Sequence, residues 1–133
     1  MDNEDIWFSD YKSKQGNIGL GQAIAYYMSQ GYVVLLPIND TQPYDLVIDK
    51  LDGNGLQRIS VKTTRYIHRK HFEVQLGNTG GSSGKSKVRP FNNHNADLLF
   101  VYAISQEKWE IPTKNITTKR VIALGEKYNQ YRI

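Results

Sequence analysis

Apolar residues recur along this chain first with a helical period and then, several times, with a strand period. Residues 18–29 place Leu20, Ile24, Tyr27 and Met28 on one helical face, which predicts an amphipathic helix with that stripe toward the core. Asn17 suits its N-cap and Gly31 its stop. Residues 32–37 (YVVLLP) form a continuous apolar run, the pattern of a strand covered on both faces. An alternating pattern over 44–64 breaks at Asp52-Gly53-Asn54-Gly55, residue types that accept the positive φ of a hairpin turn. If Gly53-Asn54 is the two-residue turn, Asp45 faces Lys62 across the ladder at about 5 Å, and Val47 faces Ser60 on the same side. Leu46, Ile48, Ile59 and Val61 then make the apolar side. Further strands are predicted over 71–76, 96–104 and 108–111, the last stopped by Pro112. Gly19 and Gly21 weaken the first helical turn and allow close approach of helix to sheet or of backbone to phosphate. Residues 1–15 read as a short helix docking Ile6, Trp7 and Phe8, or as a partner-binding arm; beyond 115 the pattern fades, with Tyr128 and Tyr131 free to pack or stack.

Composition narrows the classes. A chain of 133 residues builds one core, so 1–133 reads as a single domain. Without cysteine there are no disulfides, zinc–thiolate sites or cysteine nucleophiles, which suits an intracellular protein. The acidic start lacks a signal pattern, and no apolar run approaches the roughly 20 residues of a membrane span, so a cytoplasmic protein without membrane contact is expected. The net charge of +4 is unevenly spread: from Lys62 to Asn92 seven Lys or Arg stand against one acid, Glu73. Such a segment marks a polyanion-facing surface or a solvated charged loop. Residues 77–93, rich in Gly and Ser and free of acids, predict a flexible basic loop, either one that folds onto a nucleic-acid groove or a plainly disordered one. His68 and His71, three apart in HRKH, would point to opposite faces of one strand; contacts to phosphate suit them better than a shared metal.

One pair of short motifs changes the picture. Tyr44-Asp45 opens one strand and Ser60-Val61-Lys62 lies in the next. The two charges alone fit an ordinary cross-strand ion pair. In this hairpin, however, they resemble the PD-(D/E)XK nuclease motif. The likeness runs from Gly16 to Thr63 (GNIGLGQAIAYYMSQGYVVLLPINDTQPYDLVID…ISVKT), and Asp97–Tyr102 and Trp109–Pro112 are similar to the strands that follow. The chain resembles the small PD-(D/E)XK endonucleases associated with group I introns of cyanobacteria.

That resemblance implies an α/β (α+β) fold of the restriction-endonuclease type, a central mixed β-sheet flanked by helices. It implies Mg²⁺-dependent (or Mn²⁺-dependent) hydrolysis of phosphodiester bonds in double-stranded DNA, homing or restriction-like, by a homodimer or homotetramer. Asp45 would ligate the metal, the Val61 carbonyl would add a second ligand, and Lys62 would orient or activate water. Arg65, His68, Arg69, Lys70, Lys85, Lys87 and Arg89 would contact DNA. Two positions depart from the family pattern. Leu20 stands where a helix Glu is usual, and Ser60 where Glu, Asp or Gln is usual; a serine hydroxyl can hold water but brings no charge. A nuclease-like protein that binds DNA without cutting it therefore stays open, as does a Holliday-junction-type resolvase.

Overall fold

The computed structural model describes residues 12–79 and 88–133. Its one long helix, α1 (Lys12–Ser29), begins earlier than the pattern predicts, so Asn17 lies within it and caps nothing. The end is set by Gly31, whose φ of +82° turns its N–H onto Met28 O at 3.0 Å and the Tyr32 N–H onto Tyr27 O at 3.2 Å. Two carbonyls of the last turn are thereby satisfied. Ile6, Trp7 and Phe8 lie outside the described residues.

The buried stripe of α1 also differs from expectation. Gly19, Ala23 and Tyr27 face inward, Leu20 and Ile24 pack beside them, and Met28 is left 59% exposed. A Cβ at position 19 would collide with the Thr63 methyl and lie 3.4 Å from Val61 Cγ1. Glycine thus lets the helix rest directly on a strand. Gly21 has no such neighbour.

The helix covers a five-stranded sheet of β1 (Val33–Leu35), β2 (Leu46–Asp49), β3 (Leu56–Thr64), β8 (Leu98–Ala103) and β9 (Lys108–Pro112), in the order β1-β2-β3-β8-β9. Only β3 and β8 pair in parallel; the other neighbours are antiparallel, so the sheet is mixed. All of β8 is buried, as its uninterrupted apolar run requires. By contrast β1 is an edge strand with Val33 and Leu35 exposed, not the doubly covered strand that YVVLLP suggests. Under α1, Tyr27, Leu46, Ile48, Ile59 and Phe100 form a fully buried cluster. Burial of a side chain such as Phe100 contributes about 1.5–3 kcal/mol.

The opposite face is covered by a second sheet rather than by helices. Between β3 and β8 the chain forms β4 (Ile67–His68), β5 (His71–Gln75), β6 (Asn78–Thr79) and β7 (Val88–Arg89); β10 (Val121–Ala123) follows β9. The order β10-β5-β4 makes a three-stranded sheet. Its Val74 and Ile122 pack with Leu76 and Leu124 against Leu99, Val101, Trp109 and Ile111. Tyr128, in a 3₁₀ segment at Glu126–Tyr131, completes this layer.

Part of the segment predicted as a basic loop, 77–93, is paired structure. Residues 78–79 and 88–89 pair as a two-stranded ribbon, and the Phe91 N–H donates to Lys119 O at 2.8 Å. Lys85 and Lys87 lie outside the described residues. No described helix is long and apolar enough to cross a membrane.

Candidate active site at the end of the second and third strands

The β2–β3 hairpin does form, in a register two residues from the expected one. Leu46 faces Ile59 and Asp49 faces Leu56, so residues 50–55 make a wider loop. Positive φ at Leu51, Gly53 and Gly55 shapes it. The Asp49 and Asp52 carboxylates accept the N–H groups of Leu51 (2.8 Å) and Asn54 (3.0 Å). Asp45 therefore stands opposite Ser60, and Lys62 is its diagonal neighbour rather than its direct partner. A shift of two residues preserves the alternation of faces. Ser60 and Lys62 remain on the side away from α1, and Ile59 and Val61 on the side toward it.

The backbone at this point has an unusual arrangement. Hydrogen bonds along a strand alternate between its two neighbours. Arg58 O and Thr64 O accept from Asp97 N–H (2.8 Å) and Ile104 N–H (2.9 Å) on the β8 side. Ile59 O accepts from Asp45 N–H at 2.8 Å on the β2 side, so Val61 also turns its N–H and carbonyl toward β2. Its N–H is taken by the Asp45 carboxylate, whose Oδ2 accepts at 2.7 Å. The β2 pairing ends at Leu46, opposite Ile59, so the Val61 carbonyl lies past the last β2 pair. The ladder ends with a carboxylate and a main-chain carbonyl on one edge.

Asp45 is reachable by solvent, Lys62 is half-buried and Ser60 is buried. Crowding by protein pushes the Asp45 pKa up, against the opposing pull of the Val61 N–H and the Lys62 charge. Removal from water likewise pushes the Lys62 pKa down, more than Asp45 raises it. Ser60 and Lys62 line a cavity of ≈ 20 Å³ with Pro43, Phe91, Asn92 and Asn95, room for about one water. Through Pro90, Phe91 and Asn92 this cavity adjoins an open groove of ≈ 680 Å³ bounded by Asn93 and Ile116–Lys119. Next to the site, Asp97 clamps β3 to β8: its carboxylate accepts from Arg58 N–H (2.7 Å) and Arg58 Nε (3.3 Å). Burial raises the Asp97 pKa, but the bonds and charge of Arg58 outweigh it and hold the group below its usual range.

Leu20 packs into the helix-side cluster and supplies no acid. Among the described residues no group of three or more His, Cys, Asp or Glu could hold a metal. The oxygens available here are one carboxylate, that of Asp45, and the Val61 carbonyl. Two oxygens fit a hard cation such as Mg²⁺, which commonly takes its remaining ligands from water and substrate phosphate.

The other candidate residues lie beyond the end of β3. Arg65, His68, Arg69 and Lys70 are exposed on the β4–β5 ribbon, and Arg89 is in β7, paired with Asn78. His68 and His71 are direct cross-strand partners, not residues on opposite faces of one strand, because a turn at Arg69-Lys70 falls between them. Pro43, Phe91 and Asn92, which line the small cavity, had no sequence signal for a site role.

The structure of a bacterial homing endonuclease, I-Ssp6803I, superposes with a TM-score of 0.76 at 22% identity, over 92% of this chain and 88% of the other. At that identity the likeness is one of fold. No curated protein matches the chain in sequence. The family model described as PD-(D/E)XK endonuclease matches residues 11–132, nearly the whole length and both halves of the hairpin motif. The chain belongs to the PD-(D/E)XK endonuclease family.

Proposed function

We propose that the protein is a Mg²⁺-dependent endonuclease of double-stranded DNA, with Mn²⁺ as an alternative ion, and that Asp45, Ser60, Val61 and Lys62 form its active site. The observation that carries this reading is the pair of oxygens at the end of the β2–β3 ladder, the Asp45 carboxylate beside a Val61 carbonyl that lies past the last β2 pair. These two groups would hold the ion, which supplies positive charge at the scissile phosphate. Lys62 places a cation within electrostatic reach of Asp45. With its pKa lowered, it can hold or exchange a proton nearer neutral pH than an exposed lysine. The Ser60 hydroxyl lines the small cavity and would hydrogen-bond a water there without adding charge. Arg65, His68, Arg69, Lys70, Lys85, Lys87 and Arg89 are assigned to contacts with the DNA, to which such cations lend affinity. With one such site per chain, cutting both strands calls for a two-fold homodimer or homotetramer. Homing and restriction-like roles both fit this chemistry.

Cleavage of varied duplex DNAs in Mg²⁺ or Mn²⁺, abolished by Asp45→Ala and by Lys62→Ala, is the expected result. Cleavage that survives both substitutions overturns the assignment. The absence of any acid at Leu20 and Ser60 favours one competing reading, a DNA-binding protein that does not cut; salt-dependent binding without cleavage under any divalent ion would establish it. Preferential cutting of four-way junctions would instead identify a resolvase.

A further inference from the structure

Residues 65–71 are exposed without interruption, directly after the strand that carries Lys62. They form a ribbon in which Ile67 faces Phe72 and His68 faces His71, leaving Arg69-Lys70 as a two-residue loop. The φ values of these residues are +50° and +72°, the left-handed pair that a type I′ turn demands and that Asn-Gly fills at least cost. Here the strained positions hold two long cations instead. Strain kept in this way, where a better turn sequence is available, points to function. Just below the tip the Tyr66 and His68 rings are stacked, with centroids 6.5 Å apart and planes 13° from parallel, while Tyr66 and Ile67 are 60% and 56% exposed. The root is firm: Thr64 Oγ1 donates to Glu73 O, Glu73 N–H donates to Tyr66 O at 2.9 Å, and Phe72 meets Trp109 edge-on. A rigid, projecting two-stranded ribbon with a cationic tip and an aromatic flank matches the width of the B-DNA major groove.

Resting on the reading of the protein as a DNA endonuclease, we infer that the β4–β5 ribbon is its sequence-reading element, inserting Arg69 and Lys70 into the major groove beside the scissile phosphate. Arg69 at the tip can make the two-pronged contact to a guanine edge that a phosphate-bound cation does not.

The test compares the full-length Asp45→Ala protein with the same protein carrying Arg69→Asn/Lys70→Gly, using a library of randomised DNA duplexes sequenced before and after binding. The tip change is expected to raise Tm by on the order of 4 °C as the turn relaxes, to weaken duplex binding at least tenfold, and to erase base preference at one or two positions. Duplex RNA, whose major groove is too deep and narrow for such a ribbon, should not compete. Unchanged affinity, a uniform loss with base preference intact, or effective competition by duplex RNA each overturns the inference. Failure of the unaltered protein to cut any DNA would sink the endonuclease reading while leaving the ribbon's role standing. Absence of duplex binding by the Asp45→Ala protein would sink the ribbon inference.

Discussion

The Asp45 carboxylate accepts the Val61 N–H at 2.7 Å, one residue before β2 begins its pairing at Leu46 opposite Ile59. Asp45→Glu keeps the charge but adds a methylene, which moves the carboxylate out of step with the Val61 main chain. We expect Asp45→Glu to leave stability within about 1 kcal/mol of the parent and to lower cleavage at limiting Mg²⁺ roughly tenfold, with partial recovery as Mg²⁺ is raised. Rates that do not depend on this change at any Mg²⁺ concentration would remove Asp45 from the ligand set.

The raised pKa of Asp45 makes the site a cost to the metal-free fold. Well below the ordinary value of 3.8 the carboxyl is protonated in both folded and unfolded chains and carries no penalty. As pH rises from there, the unfolded chain ionises first, so native stability falls through the window between the ordinary and raised values and stays lower above it. Asp45→Asn keeps an acceptor for the Val61 N–H but cannot ionise. It should therefore be more stable than the parent at neutral pH, by less than about 1 kcal/mol because solvent reaches the group, and the advantage should vanish in acid. Urea titrations at several pH values check this; an advantage that persists in acid would mean the effect is not one of ionisation.

Gly19→Ala sets helix preference against contact. Alanine favours the helix by about 1 kcal/mol, yet its methyl would collide with the Thr63 methyl on β3. The net expectation is destabilisation of roughly 1–3 kcal/mol. Adding Thr63→Ser removes the obstructing methyl and should recover more than half of the loss, a coupling that a double-mutant cycle measures directly.

Tyr27 is fully buried, and its hydroxyl has no hydrogen-bond partner at good geometry. Burial, reinforced by the nearby Glu110, pushes its pKa well above the usual tyrosine value. Tyr27→Phe keeps the ring contacts with Phe100 and Tyr32 and should be neutral or stabilising by about 1 kcal/mol in thermal melts, with cleavage unchanged.

The hairpin motif, the long buried strand β8 and the polar identity of one face of β3 were legible in the sequence because period-2 patterning is robust to the details of the turn. The pairing register was not. Gly53-Asn54 looked like a sufficient two-residue turn, but Asp49 and Asp52 each bond a main-chain N–H two residues on and widen the loop. Because the slip was of even length, Ser60 and Lys62 kept the face that the pattern gave them. On α1 the hydrophobic count favoured Met28 over Gly19, since approach distance leaves no trace in a hydropathy pattern. The HRKH segment was misread for a similar reason: a type I′ turn made of Arg and Lys has none of the usual turn residues. The second sheet escaped because its strands are short and separated by more than a third of the chain.

Strand β3 passes from Ser60 through Lys62 to Thr64 without a bulge, and the exposed ribbon starts immediately after it. A load applied at the ribbon is thus borne by the same strand that carries Ser60 and Lys62, the groups proposed to act at the phosphate. Retargeting the protein by rebuilding its tip would consequently alter turnover as well as preference, because any tilt of the docked ribbon also displaces the ammonium of Lys62.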